Sequence, residues 1–148
     1  MAMMPLVPAA LFWTMVLVLG LVSAFKDQKN ITAESGQNVT LTCRAAKNNI
    51  IVLEWSRADL GRQYVFLHRD GLFVPDDQHP SFVNRVDLQD REMKDGDVSL
   101  ILKNVTINDA GIYECRVIQR KTNRRKRAYL KTPPISSINL SVVDPPGE

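Results

Sequence analysis

Cysteine and histidine are scarce in this chain, with two of each in 148 residues. A structural zinc site takes about four Cys, His or carboxylate ligands at short spacing. His68 and His79 form no such cluster with Cys43 and Cys115, so no metal and no cofactor is expected. No glycine-rich run forms a phosphate-cradling loop. No Ser/His/Asp set is present, and no Cys/His set survives once the cysteines pair. Acids such as Asp76 and Asp77 fall in a loop-like stretch. The chain is not expected to be an enzyme.

Charge is missing from one long stretch. Between Leu6 and Ala24 there is no charged residue, the centre reads "LFWTMVLVLGLV", and Ser23 and Ala24 follow it. Val22 and Ala24 suit the −3 and −1 positions of a signal-peptidase site, which places the cut before Phe25 and makes residues 1–24 a signal peptide. No Lys or Arg lies upstream of the apolar core, so an uncleaved signal anchor is the alternative, since about 19 apolar residues can just span a bilayer. After Ala24 no apolar run is long enough to cross a membrane or to serve as a lipid-anchor signal. The mature product is therefore expected to be secreted as it stands, or exposed on the external side of the plasma membrane if it is part of a longer form.

Secretory entry changes how the cysteines read. In an oxidising compartment, Cys43 and Cys115 most simply form one disulfide. Four Asn-x-Ser/Thr sequons occur after Ala24, at Asn30, Asn38, Asn104 and Asn139. Four in a short chain with a signal sequence suit a glycosylated extracellular protein.

No long amphipathic helix appears. The chain reads instead as short strands divided by turn signals. "NVTLTC" alternates, with Val39, Leu41 and Cys43 on one face. "IIVLEWSR" does the same with Ile51, Leu53 and Trp55. "YVFLHRDG" ends in the turn signal Asp70-Gly71. "FVNRVDL" gives Val86 and Leu88 to one face, and "KDGDVSLILKNV" gives Val98, Leu100 and Leu102. "GIYECRVIQ" and "SSINLSVV" follow, and the Pro-rich end "DPPGE" stops the last strand. About eight or nine strands at regular spacing imply an all-β antiparallel sandwich or barrel.

"NDAGIYECRV" places Asp109, Gly111, Tyr113 and Cys115 at alternate positions, on one face of an extended segment. With Cys43 and with Trp55 twelve residues after it, this resembles the variable-type (V-set) immunoglobulin domain, spanning residues 25–144 with 145–148 as a Pro-rich end or the start of a stalk. The resemblance implies a sandwich of about nine strands in two sheets. It also implies that Trp55 packs on a Cys43–Cys115 bridge between the sheets and that Tyr113 forms a tyrosine corner. Gly111 would allow close approach at that corner, and Asp109 would pair with Arg85. "WSRADLGRQYVFLHRDG" and "NRVDLQDREMKDGDVSLILKNVTINDAGIYECRV" are similar to the butyrophilin and myelin-oligodendrocyte-glycoprotein group, especially its fish-type members. Such proteins are typically cell-surface molecules that modulate T cells or mediate adhesion.

The resemblance further implies a docking surface on the exposed face of strands G, F, C and C′. On C′, Val65 and Leu67 are expected to point inward, leaving Tyr64, Phe66 and His68 outward. On F, Glu114, Arg116 and Ile118 are expected outward. Exposed aromatic residues beside arginine suit a binding hot spot; the competing expectation is that strand C″ or the F–G loop covers them. The run "RKTNRRKRAYLK" holds Arg120, Lys121, Arg124, Arg125, Lys126 and Arg127 and no acid, and falls in the F–G hairpin. It reads as a solvated loop, as a contact for heparan sulfate or another polyanion, or, at "RRKR", as a furin-type processing site. The expected partner is a protein receptor or ligand on another cell. Homophilic adhesion and glycosaminoglycan binding or host defence through the F–G loop are the alternatives, and no nucleic acid is implied.

Overall fold

The structure is a computed structural model that describes residues 28–120 and 132–146. The expected signal peptide, with residues 25–27, and the basic residues Lys121, Arg124, Arg125, Lys126 and Arg127 lie outside the described residues. Among the described residues nine strands form: β1 (Gln28–Glu34), β2 (Val39–Leu41), β3 (Ile50–Arg57), β4 (Phe66–Arg69), β5 (Leu72–Phe73), β6 (Val86–Leu88), β7 (Leu100–Leu102), β8 (Gly111–Gln119) and β9 (Ser136–Val143). They make a six-stranded sheet in the order β1-β9-β8-β3-β4-β5 and a three-stranded sheet in the order β2-β7-β6. The strand pairs are antiparallel except β1 with β9, which is parallel. The alternation read from sequence accounts for the layering, because one face of each strand must be buried. Leu41, Leu53, Trp55, Val98, Leu100, Leu102, Tyr113, Ile138 and Leu140 are all fully or almost fully buried between the sheets.

Cys43, just past β2, is bonded to Cys115 on β8, with their Cα atoms 6.6 Å apart. The bridge therefore ties one sheet to the other. Trp55 is the register partner of Cys115, which places the indole on the same face as the sulfur. Its Nε1 donates to the Val98 carbonyl at 3.0 Å, so the one polar atom of this buried ring is satisfied. The β4–β5 connection is the Asp70-Gly71 pair, at φ 52° and 83°. Positive φ at both central residues is what a tight primed hairpin turn requires.

One strand departs from its expected phase. Trp55 is paired with Phe66, Glu54 with Leu67, and Leu53 with His68. Phe66 and His68 therefore share the core-side face of the sheet with Trp55 and Leu53, and Leu67 lies on the outer face with Glu54. The expectation that Phe66 and His68 point outward is corrected; Val65 is in the core as expected, whereas Leu67, expected inward, is buried at 2% exposure but outside the core cluster. The cause is an irregularity at the strand's entry. Val65 donates its N–H to the Trp55 carbonyl at 2.9 Å while Phe66 is Trp55's register partner, so two residues face one. Such a bulge shifts side-chain parity by one, and every later residue changes face. Phe66 is 6% exposed and belongs to the core cluster. The β5 ring of Phe73 covers it, with centroids 5.2 Å apart, and His68 stacks beside it at 6.3 Å.

Candidate functional site

On β8 the core takes Tyr113, Cys115 and Val117, so Ile112, Glu114, Arg116 and Ile118 project from the outer face of the large sheet. On β3 the same alternation sends Glu54 and Ser56 outward. Register brings these together, with Glu54 opposite Arg116 and Ser56 opposite Glu114. Tyr64, two residues before β4, joins them, and with Ile118 and Thr132 they line one open concavity. Tyr64 is held from both sides. Its N–H donates to the Asp77 carbonyl at 2.8 Å and its carbonyl accepts from the His79 N–H at 2.9 Å.

Arg116 is the fixed centre of this face. Its Nε donates to the Thr132 carbonyl at 2.9 Å, one Nη to Ser56 Oγ at 3.2 Å, and the other to Glu114 Oε2 at 3.0 Å. A half-buried guanidinium held by three partners is preorganised, so little side-chain entropy remains to be lost on binding. Partial burial, and then the nearby Glu54 and Asp77 carboxylates, push the Tyr64 phenol above its ordinary pKa. It is a neutral hydroxyl donor at physiological pH. Tyr64, Ile118 and the Arg116–Glu114 pair together offer an aromatic anchor, an aliphatic contact and oriented charge. Protein interfaces use these elements at their centres. Among the described residues no group of three or more His, Cys, Asp or Glu could hold a metal ion.

Behind this face, the 3₁₀ turn Ile107–Asp109 leads into β8. The Asp109 carboxylate accepts the Thr106 N–H at 2.8 Å and both terminal nitrogens of Arg85, at 3.2 and 2.5 Å. Arg85 also donates to the carbonyls of Ser81, Lys103 and Asn104. The Tyr113 hydroxyl donates to the Asp109 carbonyl at 2.5 Å and accepts from Arg57 Nη1 at 3.2 Å. Arg57 was missed in the sequence. It is buried, paired with Asp59 at 2.6 Å, and its guanidinium carbon lies 5.5 and 5.6 Å from the ring centroids of Phe82 and Tyr113. The signal was present: Leu53, Trp55 and Arg57 share one face, and a lone charge ending an apolar stripe needs a partner. Of the sequon asparagines, Asn30, Asn38 and Asn104 are exposed and Asn139 is half-exposed. Arg120 is exposed at the end of β8, where its N–H donates to the Asn49 carbonyl at 2.8 Å.

Two packed sheets, an inter-sheet disulfide under a buried tryptophan, a tyrosine bonded back to upstream backbone, and two extra strands beside β3 define a variable-type immunoglobulin sandwich. The chain belongs to the immunoglobulin V-set domain family, whose family model matches residues 26–131. It is 34% identical over 96 residues to human junctional adhesion molecule B, covering 64% of this chain and 28% of that protein. To human hepatitis A virus cellular receptor 2 it is 30% identical over 109 residues, covering 72% of this chain and 35% of that protein. Human butyrophilin subfamily 2 member A2 is 30% identical over 88 residues, covering 57% and 17%. The chain thus spans about a third or less of the length of these relatives. Among solved structures, the human B7-H4 IgV-like domain superposes with a TM-score of 0.56 at 24% identity, covering 76% of this chain and 90% of that one. Bovine butyrophilin does so with a TM-score of 0.57 at 23% identity, covering 77% and 50%. The relatives are cell-surface adhesion and immune receptor proteins. Among the described residues no helix is long and apolar enough to cross a membrane.

Proposed function

We propose that this chain is the extracellular binding domain of a cell-surface or secreted immune ligand or receptor. It modulates T-cell signalling by engaging a protein on another cell through the outer face of β9, β8, β3 and β4, which correspond to strands G, F, C and C′. The observation that carries this reading is the concave cluster of Tyr64 and Ile118 around the pinned Arg116–Glu114 pair. It is supported by family membership and by relatives such as the hepatitis A virus cellular receptor 2 and the butyrophilin. Phe66 and His68 have no place in this contact, because they lie on the core side.

The test is to stain resting and activated lymphocytes with fluorescent tetramers of the secreted domain. Saturable staining that tetramers of an unrelated V-set domain do not compete supports the reading; no staining of any lymphocyte population contradicts it.

A homophilic version uses the same face. It is favoured by charges of both signs on that face, Glu54 and Glu114 beside Arg116, and by the similarity to junctional adhesion molecule B. Sedimentation at increasing concentration separates the two, because only the homophilic version gives a concentration-dependent dimer.

A further inference from the structure

Asn30 and Asn139 are far apart in sequence, yet they are register partners across the parallel β1–β9 pair. Ala33 belongs to the core cluster and Ile31 packs against it, so Asn30 projects from the opposite, outer face. Ile138 and Leu140 are buried, so Asn139 projects from that same outer face. The next strand continues the row, for Asn139 is paired with Ile112 of β8. Ile112 is 43% exposed, one of the large apolar side chains left open on the surface. Two sequons and one uncovered isoleucine therefore form a single line across three adjacent strands.

We propose that Asn30 and Asn139 carry N-linked glycans that roof the β1–β9 flank of the large sheet at its Ile112 end and cover Ile112, leaving the other end of the docking face, around Tyr64, Arg116 and Ile118, open to a protein partner. In the transfer, the asparagine Nδ2 attacks C1 of a polyprenyl-diphosphate-linked oligosaccharide. An N–C bond forms, the C1–O bond to diphosphate breaks, and the amide proton leaves with the released lipid diphosphate. The product is bulky and hydrophilic, and it stands within one strand spacing, about 4.8 Å, of the Ile112 backbone. Ile118 is six residues further along β8, about 20 Å at strand rise, and beside Tyr64 and Arg116. The shield and the docking cluster thus occupy opposite ends of one strand. The other two sequons lie elsewhere, at the ends of β2 and β7, where Asn38 Oδ1 accepts the Asn104 N–H at 2.9 Å. Their glycans leave the outer face of the large sheet untouched.

The inference rests on the extracellular reading, and its test separates the two. The domain is secreted from cultured cells, site occupancy is measured by glycopeptide mass spectrometry, and hydroxyl-radical footprinting compares Ile112 with Ile118. The comparison is repeated after enzymatic release of glycans from the folded protein and on the Asn30→Gln/Asn139→Gln variant. Glycan at Asn30 or Asn139, with Ile112 oxidation rising several-fold on glycan removal while Ile118 stays constant, is the expected result. A secreted domain glycosylated at Asn38 or Asn104 but bare at both Asn30 and Asn139 overturns the inference alone. So does Ile112 labelling that glycan removal does not change. A secreted domain bare at all four sites likewise overturns the inference alone, whereas no product in the medium and no glycan on the cell-retained chain overturns the extracellular reading and the inference together.

Discussion

Phe66 lies opposite Trp55 across the β3–β4 pair, while the preceding residue, Val65, donates its N–H to the same tryptophan's carbonyl. Both Val65 and Phe66 are thereby committed to the core, and Tyr64 alone of this segment reaches the docking cluster. Phe66→Ala is expected to destabilise the domain by about 3 kcal/mol, the cost of emptying a buried aromatic site. Tyr64→Ala should cost less than about 1 kcal/mol, as for a surface change. Denaturant unfolding of the two variants checks the phase of β4; equal losses would contradict it.

Gly111 and Arg57 define how close the corner is packed. A Cβ on Gly111 would stand 2.8 Å from Arg57 Cδ, and the residue's φ is +154°. Gly111→Ala is therefore expected to lose about 2 kcal/mol or more, combining backbone strain with displacement of a buried guanidinium. Gly36 also has positive φ, at 92°, but a Cβ there would meet nothing within 4 Å. Gly36→Ala should thus be the milder change, and thermal unfolding ranks the two.

The Asp109 carboxylate is almost fully buried against a less buried Arg85. Removing one partner of a buried pair is costly, at about 3–5 kcal/mol, because the other is left uncompensated. Asp109→Ala should fall at or near that range, since Thr106 also loses its acceptor. Arg85→Ala should cost a similar amount, and the double variant less than the sum of the two. Additive losses in the double-mutant cycle would show that the pair is not coupled.

Burial pushes the Tyr113 phenol up to about 12, against the opposing pull of the Arg57 guanidinium. The unfolded phenol titrates near 10. Folding thus favours the protonated form, so this contribution is whole below about pH 10 and is lost as pH rises toward 12. Two units correspond to a fall on the order of 2–3 kcal/mol in unfolding free energy across that window. Tyr113→Phe should be less stable at neutral pH, through the lost bonds to Asp109 and Arg57, and should show a flatter curve above pH 10. Urea titrations at a series of alkaline pH values measure both.

Much of this arrangement is legible in the chain because it rests on residues whose chemistry allows few alternatives. A lone cysteine pair, a tryptophan twelve residues after the first cysteine and an acid-glycine-tyrosine-cysteine alternation fit few frameworks other than this sandwich. Period-two patterning also put Leu41, Leu100 and Leu102 on faces that form the core, while the place of the buried Tyr113 was implied by the family resemblance. What it could not place was β4. Alternation carries phase only while pairing is regular, and the bulge at Val65–Phe66 changes phase through a backbone contact with Trp55 that leaves no trace in local composition. The role of Phe73 was hidden for a related reason. A two-residue strand is too short to show a period, yet its ring is what covers Phe66. Arg57 shows the converse, a visible charge on an apolar stripe whose one partner, Asp59, stands two residues on and whose other, Tyr113, emerges only when β3 and β8 are side by side.

The claim that matters most is that the outer face of the large sheet holds the partner site. It is tested by comparing lymphocyte staining by tetramers of the secreted wild-type domain, of Tyr64→Ala/Ile118→Asp, and of Ile101→Lys on the outer face of the small sheet, all at matched stability. Loss of two central contacts should weaken binding by about 2 kcal/mol or more, roughly 30-fold in affinity. The account predicts that loss for Tyr64→Ala/Ile118→Asp and unchanged staining for Ile101→Lys. Full staining by the first variant, or loss confined to the second, would contradict it.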